Sequence, residues 1–292
     1  MAKDEKKSNL NKKKKDKAPE YCNSLMNTPA LNYNVYYMKK SEKVLWLAVI
    51  FVVGAAIAYL MYGGLAKDNE GNATVATHIL NVIICGSIGI SACVIFLPIV
   101  KNTLLVKRRN LLRCQFMDML DSLSSSISAG NNAVKAFEAA HHDLIMQHGE
   151  DSYIVNEVAL IVSGQKNYID IDNLMADFGK RAGIQEIENF AQVFSLSYRK
   201  GGDFSKVIRD SYEILYNKMN IEMEIETKLS SNKSEMNIML VMPVLLMVMM
   251  KSSGGDFANN FSTPSGILGI TIGLAVVIGA YILGRKITNI EV

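Results

Sequence analysis

The chain has 292 residues, 49% hydrophobic and 20% charged, with a formal net charge of +3. An apolar share this high leans toward a membrane protein. Four cysteines, two of them inside uncharged apolar windows, exclude a disulfide-stapled secreted fold.

Residues 1–43 carry 11 lysines against 5 acidic residues, a net of +6. With Pro19, Pro29 and little apolar periodicity, they read as a basic, disordered tail that helps to set topology. Electrostatic docking to anionic lipid is the alternative use of such a run. Nucleic-acid binding is disfavoured, because Tyr21, Tyr33, Tyr36 and Tyr37 are not interleaved with the lysines. The amino terminus also lacks the short apolar core and small-residue cleavage site of a signal peptide.

Four windows carry no ionisable residue: 44–62, 79–100, 236–250 and 267–283. Since about 20 helical residues cross a 30 Å hydrocarbon core, these predict four spans in two hairpins, 44–100 and 236–283. The third window is short, holds Pro243, and borrows flanking residues such as Asn232–Glu235 or Lys251–Ser253. Gly54 with Ala58, Cys85 with Gly89 and Cys93, and Gly269 with Gly273 are small-residue spacings that let helices approach closely in lipid. The links 63–78 and 251–266 are short and nearly neutral. Basic clusters lie instead in the tail, at Lys101, Lys107, Arg108, Arg109 and Arg113, and at Arg285 and Lys286. Positive charge marks the cytoplasmic side, so both termini, including the tail 284–292, and the central block are expected in the cytoplasm.

That block, 101–235, is predicted to be a bundle of about six helices, giving an all-α fold. Leu112, Phe116, Leu120, Leu123 and Ile127 recur every three or four residues on one stripe. Gly130 ends this arm, Asn131 and Asn132 are N-cap candidates, and Ala133, Ala136, Phe137, Ala140 and Leu144 line the second arm. Ile154, Val158, Ile161 and Val162 mark a helix ended by Gly164. Asp170 or Asp172 caps another, ended by Gly179 or Gly183. Ile187, Phe190, Phe194 and Tyr198 mark the next, closed by Gly201-Gly202. Asp203 then caps the longest helix, whose face of Val207, Ile208, Leu215 and Met219 leads toward the third span. Residues 114–235 hold 11 basic and 19 acidic side chains, a net of −8.

Motifs for chemistry are missing. No phosphate-cradling G-x-x-x-x-G-K-[ST] and no G-x-S-x-G elbow is present. His141, His142 and His148 lack metal-ligand spacing, and Asp118 and Asp121 have no neighbouring nucleophile. No enzyme activity, cofactor or metal is expected. A transporter or permease subunit without its own ATPase is the competing reading, but coupled transport places ionisable groups inside the membrane and these windows have none.

Three stretches carry a family resemblance: Phe116–Leu123 with Ser128-Ala129-Gly130 and Ala133–Phe137; Phe190–Tyr198 with Gly201-Gly202-Asp203-Phe204; and the charged helix 212–233 running into Met242-Pro243. Over residues 101–260 the chain resembles the F-domain family of type II secretion and type IV pilus inner-membrane platform proteins. Within it, the chain looks most like the single-domain branch of tight-adherence (Tad) pilus systems, the TadB/TadC type. The resemblance implies a scaffold that works with a hexameric secretion ATPase, a second platform protein and pilin subunits, as a homo- or hetero-oligomer. Gly130, Gly201 and Gly202 are then structural turn candidates. Asp118, Asp121, Asp203, Arg108 and Arg109 are partner-contact candidates.

Overall fold

The computed structural model describes residues 19–62, 75–200, 204–252 and 263–288. Two short antiparallel strands, β1 (Tyr21–Asn23) and β2 (Pro29–Leu31), are followed, among the described residues, by helices. These are α1 (Lys40–Tyr62), α2 (Val75–Ser128), α3 (Ala133–His148), α4 (Tyr153–Lys166), α5 (Ile171–Ala182), α6 (Gln185–Lys200), α7 (Phe204–Ser252) and α8 (Pro264–Thr288). They divide into one unit of Met1–Tyr37 with Lys101–Met219, and another of Met38–Val100 with Asn220–Val292. Helices α2 and α7 contribute residues to both; the prolines inside them are Pro98 and Pro243.

The first unit is built on the stripe of α2. Leu112, Phe116, Leu120 and Leu123 are fully buried, and Ala136, Phe137, Ala140 and Leu144 of α3 face them. The small residues of α3 leave room for aromatic rings from the helices beyond. Phe116 meets Phe190 of α6 edge-on at 5.5 Å between centroids and Phe178 of α5 at 6.2 Å. Such geometry adds to area burial because ring edges and faces carry opposite partial charge. The turn between α2 and α3 needs Gly130, whose φ of +90° is disfavoured for residues with a Cβ. Asn132 caps α3 by accepting the Lys135 N–H at 3.0 Å.

Two glycines expected as helix stops lie inside helices instead. Gly164 is buried within α4, where a Cβ would come 2.6 Å from Leu174 Cδ2; its smallness admits α5 rather than ending α4. Gly179 lies within α5 against Ala191 of α6, and the stop of α5 is Gly183, with φ +61°. Asp170, not Asp172, takes the N-cap position of α5. Gly201, Gly202 and Asp203 lie outside the described residues.

The largest departure from the sequence reading is the tail. Residues 19–37 fold onto the first unit: β1 and β2 pair across a turn in which Asn27 has φ +56°, and Tyr33 is inserted into the core at 1% exposure. Strands of three residues are too short to show an alternating pattern, so composition alone read them as disordered.

Among the described residues, three helices are long and apolar enough to cross a membrane, over Lys40–Leu60, His78–Ser128 and Ser205–Met250; α8 carries a shorter apolar stretch, Ser265–Val277. Helices α1 and α2 meet at the small residues the sequence singled out. Cβ atoms at Gly54 and Gly89 would approach Ala92 at 3.2 Å and the Phe51 ring at 2.8 Å, and Cys93 lies 3.6 Å from the Leu47 carbonyl. By contrast, Gly269 and Gly273 of α8 have nothing within 4 Å of an added Cβ. Among the described residues, nothing packs on that pair.

Candidate docking surface

The acidic residues of α2 fall on an outward face. Asp121 is exposed, and Asp118, partly exposed, pairs with His148 at 2.9 Å between Oδ2 and Nε2. His148 ends α3, so Asp118 sits at the opposite end of the α2–α3 hairpin from Gly130, about 18 Å along the helix at 1.5 Å per residue. Tyr212 of α7 adjoins both acids: desolvation pushes its phenol up from the ordinary value, and the charges of Asp121 and Asp118 add to this. Asp203 lies outside the described residues.

Beside this face, α2, α6 and α7 leave an apolar cleft of about 190 Å³, lined by Phe116, Leu120, Phe190, Val193, Ile214 and Leu215. Glu186 stands at its rim, bonded to Lys218 at 2.7 Å and 3.6 Å from Arg113. Burial opposes the charge on Glu186, but Lys218, helped by Arg113, outweighs it and holds the carboxyl below its usual value.

The basic candidates behave otherwise. Arg108 is 7% exposed and donates to the carbonyls of Asn32 (3.2 Å) and Val35, with its guanidinium 5.7 Å from the Tyr33 ring centroid and 5.1 Å from that of Tyr36. Arg109 donates to the Tyr33 carbonyl at 3.1 Å and to Asn34 Oδ1 at 2.8 Å. Both grip the folded-back tail. This leaves Arg108 no free surface for a partner.

Under that grip lies an ion cluster the sequence reading missed. Arg181 of α5 makes a two-pronged pair with Glu157 of α4, at 2.8 and 2.7 Å, and its Nε donates to Asp177 at 2.8 Å. The Tyr33 hydroxyl donates to the Glu157 carboxylate at 3.1 Å. Burial pushes the Glu157 carboxyl up, while the bonds from Arg181 and Tyr33 pull against it; the Arg181 guanidinium, although desolvated, is held charged by Glu157 and Asp177. A second buried acid, Asp172, accepts from Ser195 at 3.2 Å and pairs with Arg199, tying α5 to α6. Among the described residues no three His, Cys, Asp or Glu side chains gather as a metal site.

The unit is therefore a helical bundle with an acidic, partly apolar outer face and a buried Arg181–Glu157 pair inside. Residues 119–250 match the family of type II secretion system (T2SS), protein F. This supports the F-domain family for the helical unit. The F-domain match begins in the last turns of α2, covers α3 to α6, and ends within the apolar part of α7. Asp121, Glu157, Arg181 and the cleft residues of α6 and α7 lie inside it; Asp118, Arg108 and Tyr33 lie before it. No match was found among curated proteins or among solved structures.

A signal for the missed acid was present. Glu157 sits three residues after Ile154 and four before Ile161, on the apolar stripe of α4. A charge in that register is either an error of pattern or a buried pair.

Proposed function

We propose that this chain is a multi-pass platform protein of a Tad-type pilus or a related type II secretion machine, coupling a cytoplasmic hexameric ATPase to pilin assembly or export. The observation that carries this reading is the reach of the F-domain match, from the bundle into the apolar stretch of α7. A helix running from a water-facing bundle into a span is suited to pass a movement from an ATPase to subunits in the bilayer. In this reading α1, α2, α7 and α8 make four spans, the bundle and both termini face the cytoplasm, and a second platform protein and pilins are the other partners. The protein scaffolds and relays; it hydrolyses nothing itself.

The topology has a direct test. In sealed vesicles, a single reporter cysteine at Asn72 or Asn259 should react with an impermeant thiol reagent from the exported side, and one at Asn167 should not. The reverse pattern would overturn the orientation.

The docking face is the acidic surface bearing Asp118 and Asp121; Asp203 is the third acidic candidate for the same partner. Complementary charge mainly raises encounter rate and fixes register, and the screening length falls from about 10 Å at 0.1 M salt to about 3 Å at 1 M. Binding of the full chain in nanodiscs to its secretion ATPase should therefore weaken across a salt series. It should weaken again in Asp118→Lys, Asp121→Lys and Asp203→Lys. Affinity indifferent to both would assign the contact to the apolar cleft, and nucleotide hydrolysis by the platform alone would end the scaffold reading.

A further inference from the structure

The fold-back of residues 19–37 is held in an unusual way for a piece of hydrophobic core. Tyr33 is its one large apolar side chain that is buried. The others buried are Ser24, Ala30 and Asn32, while Tyr21 and Leu25 are more than half exposed. Most of the rest of the grip is on backbone, beside the Arg109 bond to Asn34 Oδ1 and the Arg108 guanidinium against the Tyr36 ring. Arg181 donates to the Leu31 carbonyl at 3.3 Å and Arg109 to that of Tyr33, while Arg108 donates to the carbonyls of Asn32 and Val35. The Tyr33 N–H in turn donates to the Arg181 carbonyl at 3.0 Å. Asn34 reaches the Lys180 carbonyl at 3.3 Å, and the Tyr33 ring stands edge-on to Tyr153 at 5.8 Å. Backbone recognition with one side-chain plug is the way a folded domain binds an extended segment.

The polar floor of the receiving face is bonded without the segment. The Glu157–Arg181–Asp177 cluster is bonded within α4 and α5, so it makes a polar floor that one phenol hydroxyl joins. Gly183 completes the seat: its φ is +61°, and a Cβ there would lie 1.9 Å from Asn34 Oδ1. The hairpin β1–β2, for its part, pairs with itself.

We propose that the face formed by α2, α4 and α5 is a recognition site for an extended, tyrosine-centred segment. Its resident occupant is Leu31–Val35 of the same chain, seated as a ligand and exchangeable as a unit. Tyr37 is separated from α1 by Met38 and Lys39 alone. Whether the site is filled therefore decides whether the entry to the first candidate span is tied to the bundle. This inference does not depend on the pilus reading, since its test involves no ATPase or pilin.

The test uses the full chain in nanodiscs and a fluorescent synthetic peptide of residues 19–37. The parent chain, its site filled, should take up little peptide. Tyr33→Ala should bind it measurably, a peptide that itself carries Tyr33→Ala should bind at least tenfold more weakly, and adding Arg108→Ala and Arg109→Ala to the receiving chain should abolish uptake. A second variant guards against misfolding of Tyr33→Ala: a protease site placed between Tyr37 and Lys40 leaves the contacts of residues 19–37 intact. After cutting, the native segment should stay bound through gel filtration and be displaced by excess labelled peptide. Uptake by neither variant, or loss of amide protection in α6 once the segment leaves, would show that residues 31–35 are fixed core and overturn the proposal.

Discussion

Replacing Arg181 with alanine should lower the stability of the first unit by about 3–5 kcal/mol, because removing one partner of a buried ion pair leaves the other charged and unpaired. Glu157 is 2% exposed on its side chain, and without Arg181 only the Tyr33 hydroxyl, at 3.1 Å, would meet its carboxylate. The loss should depend on pH. Burial raises the Glu157 carboxyl in the folded state, and an acid with a raised folded value favours folding when protonated. Its penalty therefore grows as pH climbs from the unfolded value of about 4.3 through the folded one. Arg181→Ala should thus recover stability on acidification, with the parent chain changing less over the same window. Replacing both members, as Glu157→Leu with Arg181→Met, should restore most of the loss, since apolar pairs of similar volume often substitute without cost. Hydrogen exchange at the slowest amides of α4 and α5 measures each state. An Arg181→Ala chain within about 1 kcal/mol of the parent would mean that water reaches this pair freely.

Truncating Phe116 to alanine should cost about 3–5 kcal/mol, the range for emptying a buried aromatic site. The ring is 1% exposed, joins α2 to α5 and α6 through Phe178 and Phe190, and forms one wall of the apolar cleft. Its loss would both open a cavity and extend an existing one, leaving the neighbouring rings little to collapse onto. Phe116→Leu keeps most of the volume and should lose less than half as much. Ile214 provides the contrast. It lines the same cleft but is 68% exposed, so Ile214→Ala should stay within about 0.5 kcal/mol. Thermal unfolding of the three variants in one detergent ranks them. Equal shifts for Phe116→Ala and Ile214→Ala would show that the cleft is closed in solution and that both side chains are core.

What the sequence by itself determined is whatever a helix face or a membrane demands locally. Leu112, Phe116, Leu120 and Leu123 repeat with the helical period because one side of α2 must be dry, and that pattern is complete within a dozen residues. The apolar windows now in α1, α2 and α7 were legible for the same reason, since the length of an uncharged run needs no partner to interpret it. The sequence left open whether Gly164, Gly179 or Gly183 would stop a helix, because a glycine that admits a neighbour and one that adopts positive φ look alike in one dimension. Only the tertiary structure decided where the charges went. Arg108 and Arg109 read as topology markers or partner contacts, and they hold the tail. Glu157 read as nothing, and it anchors a buried cluster with Arg181, 24 residues away, and Tyr33, 124 residues away. Pairings across such distances leave no period in the sequence. They arise when the core closes and each desolvated charge must be met by whatever the fold has brought beside it.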